Sequence, residues 1–167
     1  MARKSLEFLR KKAIELGVKD SKVINASTVK AAEWVRYKCQ FGCPGFGESL
    51  TCPPYAPTPD VTRKILYSYK KAILIHCPSS SKVDISKIVV QIEKEAFFAG
   101  YYKALGMGAG PCRLCASCNL KGECRHGYQA RPSMEACGID VFHTARANGF
   151  KIETLDLSPL CKANYFG

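Results

Sequence analysis

Leu6, Leu9, Ala13 and Leu16 recur near helical spacing in SLEFLRKKAIELG, with Ser5 placed to cap the helix and Gly17 to stop it. KVINAS and EWVRYKC read as short strands, the second ending on Cys39. PTPDVTRKILYSY predicts a helix with Thr58 as N-cap and Pro59 at its first position, where a missing N–H costs nothing. AILI within KKAILIHC is a continuous apolar run with β-branched residues and predicts a buried strand. Ile85, Ile88, Val89, Ile92, Ala96 and Ala99 form one face of the longest expected helix, DISKIVVQIEKEAFFAGYYKALG, which has Gly106 near its end. Its aromatics Phe97, Phe98, Tyr101 and Tyr102 are expected to pack in the core. VFHTARANG predicts a helix closed by Asn148 and Gly149, and FKIETL a last strand.

Between these elements lie two irregular stretches, CQFGCPGFGESLTCPPY and MGAGPCRLCASCNLKGECRHGYQARPSMEACGID. The order predicts an α/β (α+β) fold: a single compact domain over residues 1–167, with a small central sheet, flanking helices and two cysteine-rich loops gathered at one end. A chain of 167 residues with 47% apolar content can build its own core, so metal would add function rather than supply the whole fold. No segment approaches the roughly 20 apolar residues of a bilayer span. The opening stretch, MARKSLEFLRKKAIELGVKD, lacks the apolar core of a signal peptide, and a cytoplasmic protein is expected.

That location bears on the ten cysteines, because cytoplasmic thiols stay reduced and metal ligation is their natural use. The formal charge of +11 invites a nucleic-acid reading. Two four-iron clusters with four thiolates each, at about −2 apiece, would bring the charge to about +7. Arg36, Lys38, Arg113, Lys121, Arg125 and Arg131 flank the cysteines, where they would offset it. The loops lack the interleaved aromatics and basic stripe of common single-strand readers, so nucleic acid is not favoured as a partner.

The second loop carries the strongest signal. Cys112, Cys115 and Cys118 stand as CxxCxxC, with Cys124 further on. A cysteine at every third residue lets a tight loop wrap a cubane cluster so that three thiolates meet three irons, as in the C-x2-C-x2-C-x3-C-P run of bacterial ferredoxins. Here the last gap is longer and Arg125 replaces the proline, which leaves Cys124 and Cys137 as competing fourth ligands. Structural zinc uses two separated CxxC knuckles and fits this spacing less well. Arg125, His126, Arg131 and Glu135 lie close by in sequence, to tune a cluster by hydrogen bonding or, for Arg125 and His126 above all, to hold an anionic substrate.

Cys39, Cys43 and Cys52 of the first loop have the wider spacing CxxxCx8C. Pro44 and Pro53 restrict the cysteine before each to extended backbone. Gly42, Gly45 and Gly47 permit positive φ, and Phe41, Phe46 and Tyr55 are expected to shield the site. Three cysteines are one short of a closed four-iron site. Cys77, Cys137 and Cys161 are the candidates for the fourth; without one of them, an iron stays open to substrate.

WVRYKCQFGCPGFGESLTCPPYAPTP, AFFAGYYKALGMGAGPCRLC and CRHGYQARPSMEACGIDV together resemble the signatures of an uncharacterised, cysteine-rich prokaryotic family described only as predicted metal-binding proteins. The resemblance runs from about Lys30 onward and implies metal binding, with iron–sulfur first, in organisms that are often anaerobic. Cys39, Cys43, Cys52, Cys112, Cys115, Cys118, Cys124 and Cys137 sit inside the matching motifs; Cys77 and Cys161 do not. The function expected first is an iron–sulfur protein with one or two [4Fe-4S] clusters, serving electron transfer with a redox partner protein or as a redox subunit of an anaerobic enzyme system. The alternatives are an enzyme with an open iron that handles sulfur or a small anionic substrate, and a zinc-stabilised binding module.

Overall fold

The computed structural model describes residues 5–77 and 83–152. Helix α1 spans Leu6–Glu15, capped by the Ser5 hydroxyl, which accepts the Phe8 N–H; Leu9 and Ala13 turn inward. Gly17 ends its last turn at φ +100°, a conformation that favours glycine. Strands β1 (Asp20–Asn25) and β2 (Lys71–His76) pair antiparallel, with Val23 opposite Ile73. Helix α4 (Ile85–Phe98) packs on α1, and α1 packs on the two strands. Ala13, Val18 and Ile88 form the buried centre of this layer, with Leu16, Ile75, Cys77, Val83 and Ile92 around them. The result is the expected mixture of helix and strand, with a sheet of two strands among the described residues.

Two expectations need correction. EWVRYKC is not a strand but most of helix α2 (Glu33–Gly42). Val35 faces the interior while Trp34, Tyr37 and Phe41 face outward. That 3-to-4-residue periodicity outweighs the β-propensity of Trp, Val and Tyr, which reports fit to a half-buried pleat rather than a backbone preference. Helix α4 stops at Phe98, short of Gly106, because Gly100 takes φ +92° and the Tyr101 N–H turns back to the Ala96 carbonyl at 3.0 Å. Phe97 (58% exposed), Phe98 (72%) and Tyr102 (67%) are therefore surface residues, since the core face of α4 runs through Ile88, Val89 and Ala96.

The remaining elements follow their caps. Thr58 accepts the Val61 N–H at the start of α3 (Pro59–Tyr67), and Asp140 accepts the His143 N–H at the start of α5 (Val141–Ala147). Asn148 and Gly149, at φ +73°, close α5. Residues 150–152 of the expected last strand are irregular, and the rest of it lies outside the described residues. Among the described residues, no helix is long and apolar enough to cross a membrane.

A second packing region carries the cysteine loops. Ala32 N–H donates to Gly138 O at 2.8 Å, Asp140 N–H to Lys30 O at 2.7 Å, and the buried Thr62 hydroxyl to Cys137 O at 2.7 Å. Gly138 sits at φ +76°, and a Cβ there would meet Pro59 Cγ at 2.4 Å. Gly138→Ala should destabilise the protein by about 1–3 kcal/mol through backbone strain and overpacking against α3. Urea unfolding checks this, with a lower midpoint expected and an unchanged one contradicting it.

Candidate metal centre

Helix α2 delivers the first cysteine loop. Cys39 stands in its last turn and Cys43 four residues later, so the two thiols leave the helix end near one another. The Cys43 N–H returns to Cys39 O at 3.2 Å, and Cys43 is extended (φ −114°, ψ 119°), as the following Pro44 requires. A run of turns follows: Gly47 N–H reaches Pro53 O at 2.8 Å, Cys52 N–H reaches Ser49 O at 2.9 Å, and Ala56 N–H reaches Cys52 O at 3.0 Å. Gly47 needs its freedom, at φ +78°, whereas Gly42 belongs to α2. Arg36 closes the base of the loop, donating to Ala56 O and Pro57 O at 3.2 Å each and to Pro54 O at 3.1 Å. Phe41 stands largely in solvent, and Tyr55 is half-exposed.

The second loop is closed at its base by backbone and by charge. Gly108 N–H donates to Pro132 O at 2.8 Å, and Met134 N–H to Gly108 O at 3.1 Å. The Glu93 carboxylate, on α4, accepts the Gly106 N–H at 2.6 Å before the loop and the Arg131 guanidinium at 2.6 and 2.9 Å after it. Burial alone would push the Glu93 carboxyl up, but Arg131 and the Gly106 N–H outweigh it and hold the group below the usual carboxylate range. The packing there is too tight for a side chain at residue 106, since a Cβ on Gly106 would clash with the Val89 side chain.

The two loops meet. Leu50 N–H, from the first, donates to Cys118 Sγ of the second at 3.4 Å. A cavity of about 280 Å³ lies at the junction, with Cys112, Cys115, Cys118 and Cys124 on one side and residues 48–51 on the other. His126 lines it; Arg125 is exposed and does not. Leu50, Thr51 and Cys124 also border a neighbouring cavity of about 350 Å³ that extends toward Tyr55 and Pro132.

In the first loop, burial raises the Cys39 thiol, and the nearby charges of Cys43, Cys52 and Glu135 raise it further against the pull of Arg36. Burial likewise raises Cys52, with Cys43 and Cys112 adding to it and hydrogen bonds from Thr51 and Ser49 opposing. Cys39, Cys43 and Cys52 are thus within electrostatic reach of one another, and Cys52 is within reach of Cys112. Cys137 is fully buried, its thiol pushed up to about 11 by burial while Arg36 pulls the other way. Cys77 packs instead against the α1 core layer, and Cys161 lies outside the described residues. The nine cysteines among the described residues are all free thiols. No three His, Cys, Asp or Glu side chains among the described residues are grouped to hold a single metal ion.

A family model described as predicted metal-binding protein (DUF2284) matches residues 22–167. The chain belongs to the DUF2284 family. No match is found among curated proteins or among solved structures. The DUF2284 match extends slightly further toward the N-terminus than the motif resemblance and takes in most of β1 as well as both loops.

The cysteines of this DUF2284 chain were legible by spacing, but the groups that hold the loops were not. Glu93 carries no sequence signal, because its partners Gly106 and Arg131 lie 13 and 38 residues away. Arg36 and Arg131 read as counter-charges, yet both spend their guanidinium groups on loop carbonyls or on Glu93. With the folded pKa of Glu93 depressed, its contribution is present above the ordinary carboxylate range and lost as pH falls through the folded value. Glu93→Gln should therefore cost about 1–3 kcal/mol near pH 7, and the difference from wild type should shrink in acid. Denaturant unfolding at both pH values checks it; a pH-independent difference would count against the clamp.

Proposed function

We propose that this protein is an iron–sulfur electron carrier whose two loops each hold a [4Fe-4S] cluster and which exchanges electrons with a redox partner protein. The observation that carries the reading is the single cavity lined by Cys112, Cys115, Cys118 and Cys124, with a backbone N–H from the other loop already directed at Cys118 Sγ. The donor set fits the group: soft thiolates suit iron–sulfur ligation, and N–H donors to sulfur are among the contacts that set a cluster's potential. A tetrahedral zinc would draw its thiolates to within about 2.3 Å of one point. A cubane spreads them over its corners, which suits thiols that line a common cavity without converging.

In this reading Cys112, Cys115, Cys118 and Cys124 hold one cluster, and Cys39, Cys43 and Cys52 hold the other with a ligand from the turn around Glu135 and Cys137. When bound, each cluster supplies a one-electron redox centre. The chain's own work is to hold the thiolates, to direct Leu50 N–H at Cys118, and to let residues 48–51 form a short wall beside the second-loop site. Nearby Arg36 offsets negative charge at Cys39 and Cys137. A reducing cytoplasmic setting keeps these thiols available.

Iron, zinc and acid-labile sulfide quantified on anaerobically purified protein test the proposal. About eight irons and eight sulfides per chain are expected, falling by about half in Cys118→Ala. Stoichiometric zinc without sulfide would overturn it.

A further inference from the structure

Within the turn that approaches the first loop, Glu135 has a buried carboxylate oxygen, Oε2, without a hydrogen-bond partner among the described residues. Such an oxygen is costly to bury unless a proton or a cation takes it. The turn that carries it is fixed. Cys137 N–H donates to Ser133 O at 3.1 Å, Ala136 N–H to Ser133 Oγ at 3.1 Å, and Gly138 N–H to Glu135 O at 2.8 Å. Thr62 then anchors Cys137 O from α3 at 2.7 Å.

Arg36, which like Glu135 acts on Cys39 and Cys137, gives its hydrogen bonds to the carbonyls of Pro54, Ala56 and Pro57. The Glu135 carboxylate stands within electrostatic reach of both Cys39 and Cys137 and raises both thiols, and the chain ties its turn to the start of α2 through the Ala32–Gly138 hydrogen bond. Cys137 itself is fully enclosed, whereas Cys39 and Cys52 are half-buried and Cys43 is exposed.

We propose that Glu135 supplies an oxygen ligand to the fourth iron of the cluster held by Cys39, Cys43 and Cys52, with Cys137 packed behind it. This rests on the iron–sulfur reading of the first loop. A carboxylate oxygen is a harder ligand than thiolate and holds this iron less firmly than the three thiolates hold theirs. The first-loop cluster is thus asymmetric, with one exchangeable corner, while the second-loop cluster is closed by four cysteines.

Mild oxidation of the anaerobic full-length protein with ferricyanide reads this out by electron paramagnetic resonance and iron count. Ferricyanide accepts one electron, the oxygen-held iron leaves as Fe(II), and a three-iron cluster remains. Wild type should lose about one iron per chain and show a three-iron signal. Glu135→Cys should suppress both, while Glu135→Gln should lose its iron faster; Cys137→Ala should behave as wild type. Retention of all iron by oxidised wild type, an unchanged response in both Glu135 variants, or a three-iron signal that depends on Cys137 would overturn the assignment. Absence of iron and sulfide from the untreated protein would instead remove the parent reading.

Discussion

The Glu93 carboxylate closes a loop that has little regular structure of its own. It receives the Gly106 N–H from one end and the Arg131 guanidinium from the other, so residues 107–130 leave and return at one point on α4. Both side chains of the pair are less than one-fifth exposed, which shields their attraction from solvent far more than a surface pair would be shielded. Arg36 does the same for the first loop by gathering three carbonyls after Cys52. Each cysteine loop thus hangs from an arginine at its base, and the ordinary core of α1, α4 and the two strands stands behind as scaffold.

Closing the bases brings the tips together. Leu50 meets Cys118, Cys52 comes within electrostatic reach of Cys112, and residues 48–51 wall the cavity of the second loop. The first loop therefore forms one wall of the second loop's cavity. Burial first and neighbouring thiols second raise Cys39 and Cys52, and the positive charge at Arg36 offsets part of this at Cys39. A strongly basic chain can accommodate two negatively charged clusters and remain basic.

How far the fold could be read from sequence depended on whether the deciding interaction was local. Ser5, Thr58, Pro59, Gly17 and Gly149 act within a turn or two, and the elements they bound stand where expected. Helix α2 was misread because its N-cap, Ala32, makes no side-chain cap bond; its start is set by the Ala32–Gly138 hydrogen bond, about a hundred residues away in sequence. Phe97 and Phe98 were misplaced because Gly100 ends α4 before a wider apolar face can form. The cysteine spacings announced metal chemistry. The contact between the loops, the Glu93 clamp and the orphaned Glu135 oxygen are long-range facts that appear only in three dimensions.

Two neighbouring metal sites separated by residues 48–51 are the central claim, and anomalous scattering at the iron edge from crystals grown anaerobically tests it most directly. The account predicts iron density in the cavity bounded by Cys112, Cys115, Cys118 and Cys124, and a second density beside Cys39, Cys43 and Cys52 on the far side of that wall. Iron located away from both loops, or a zinc-edge signal with no iron, would contradict it.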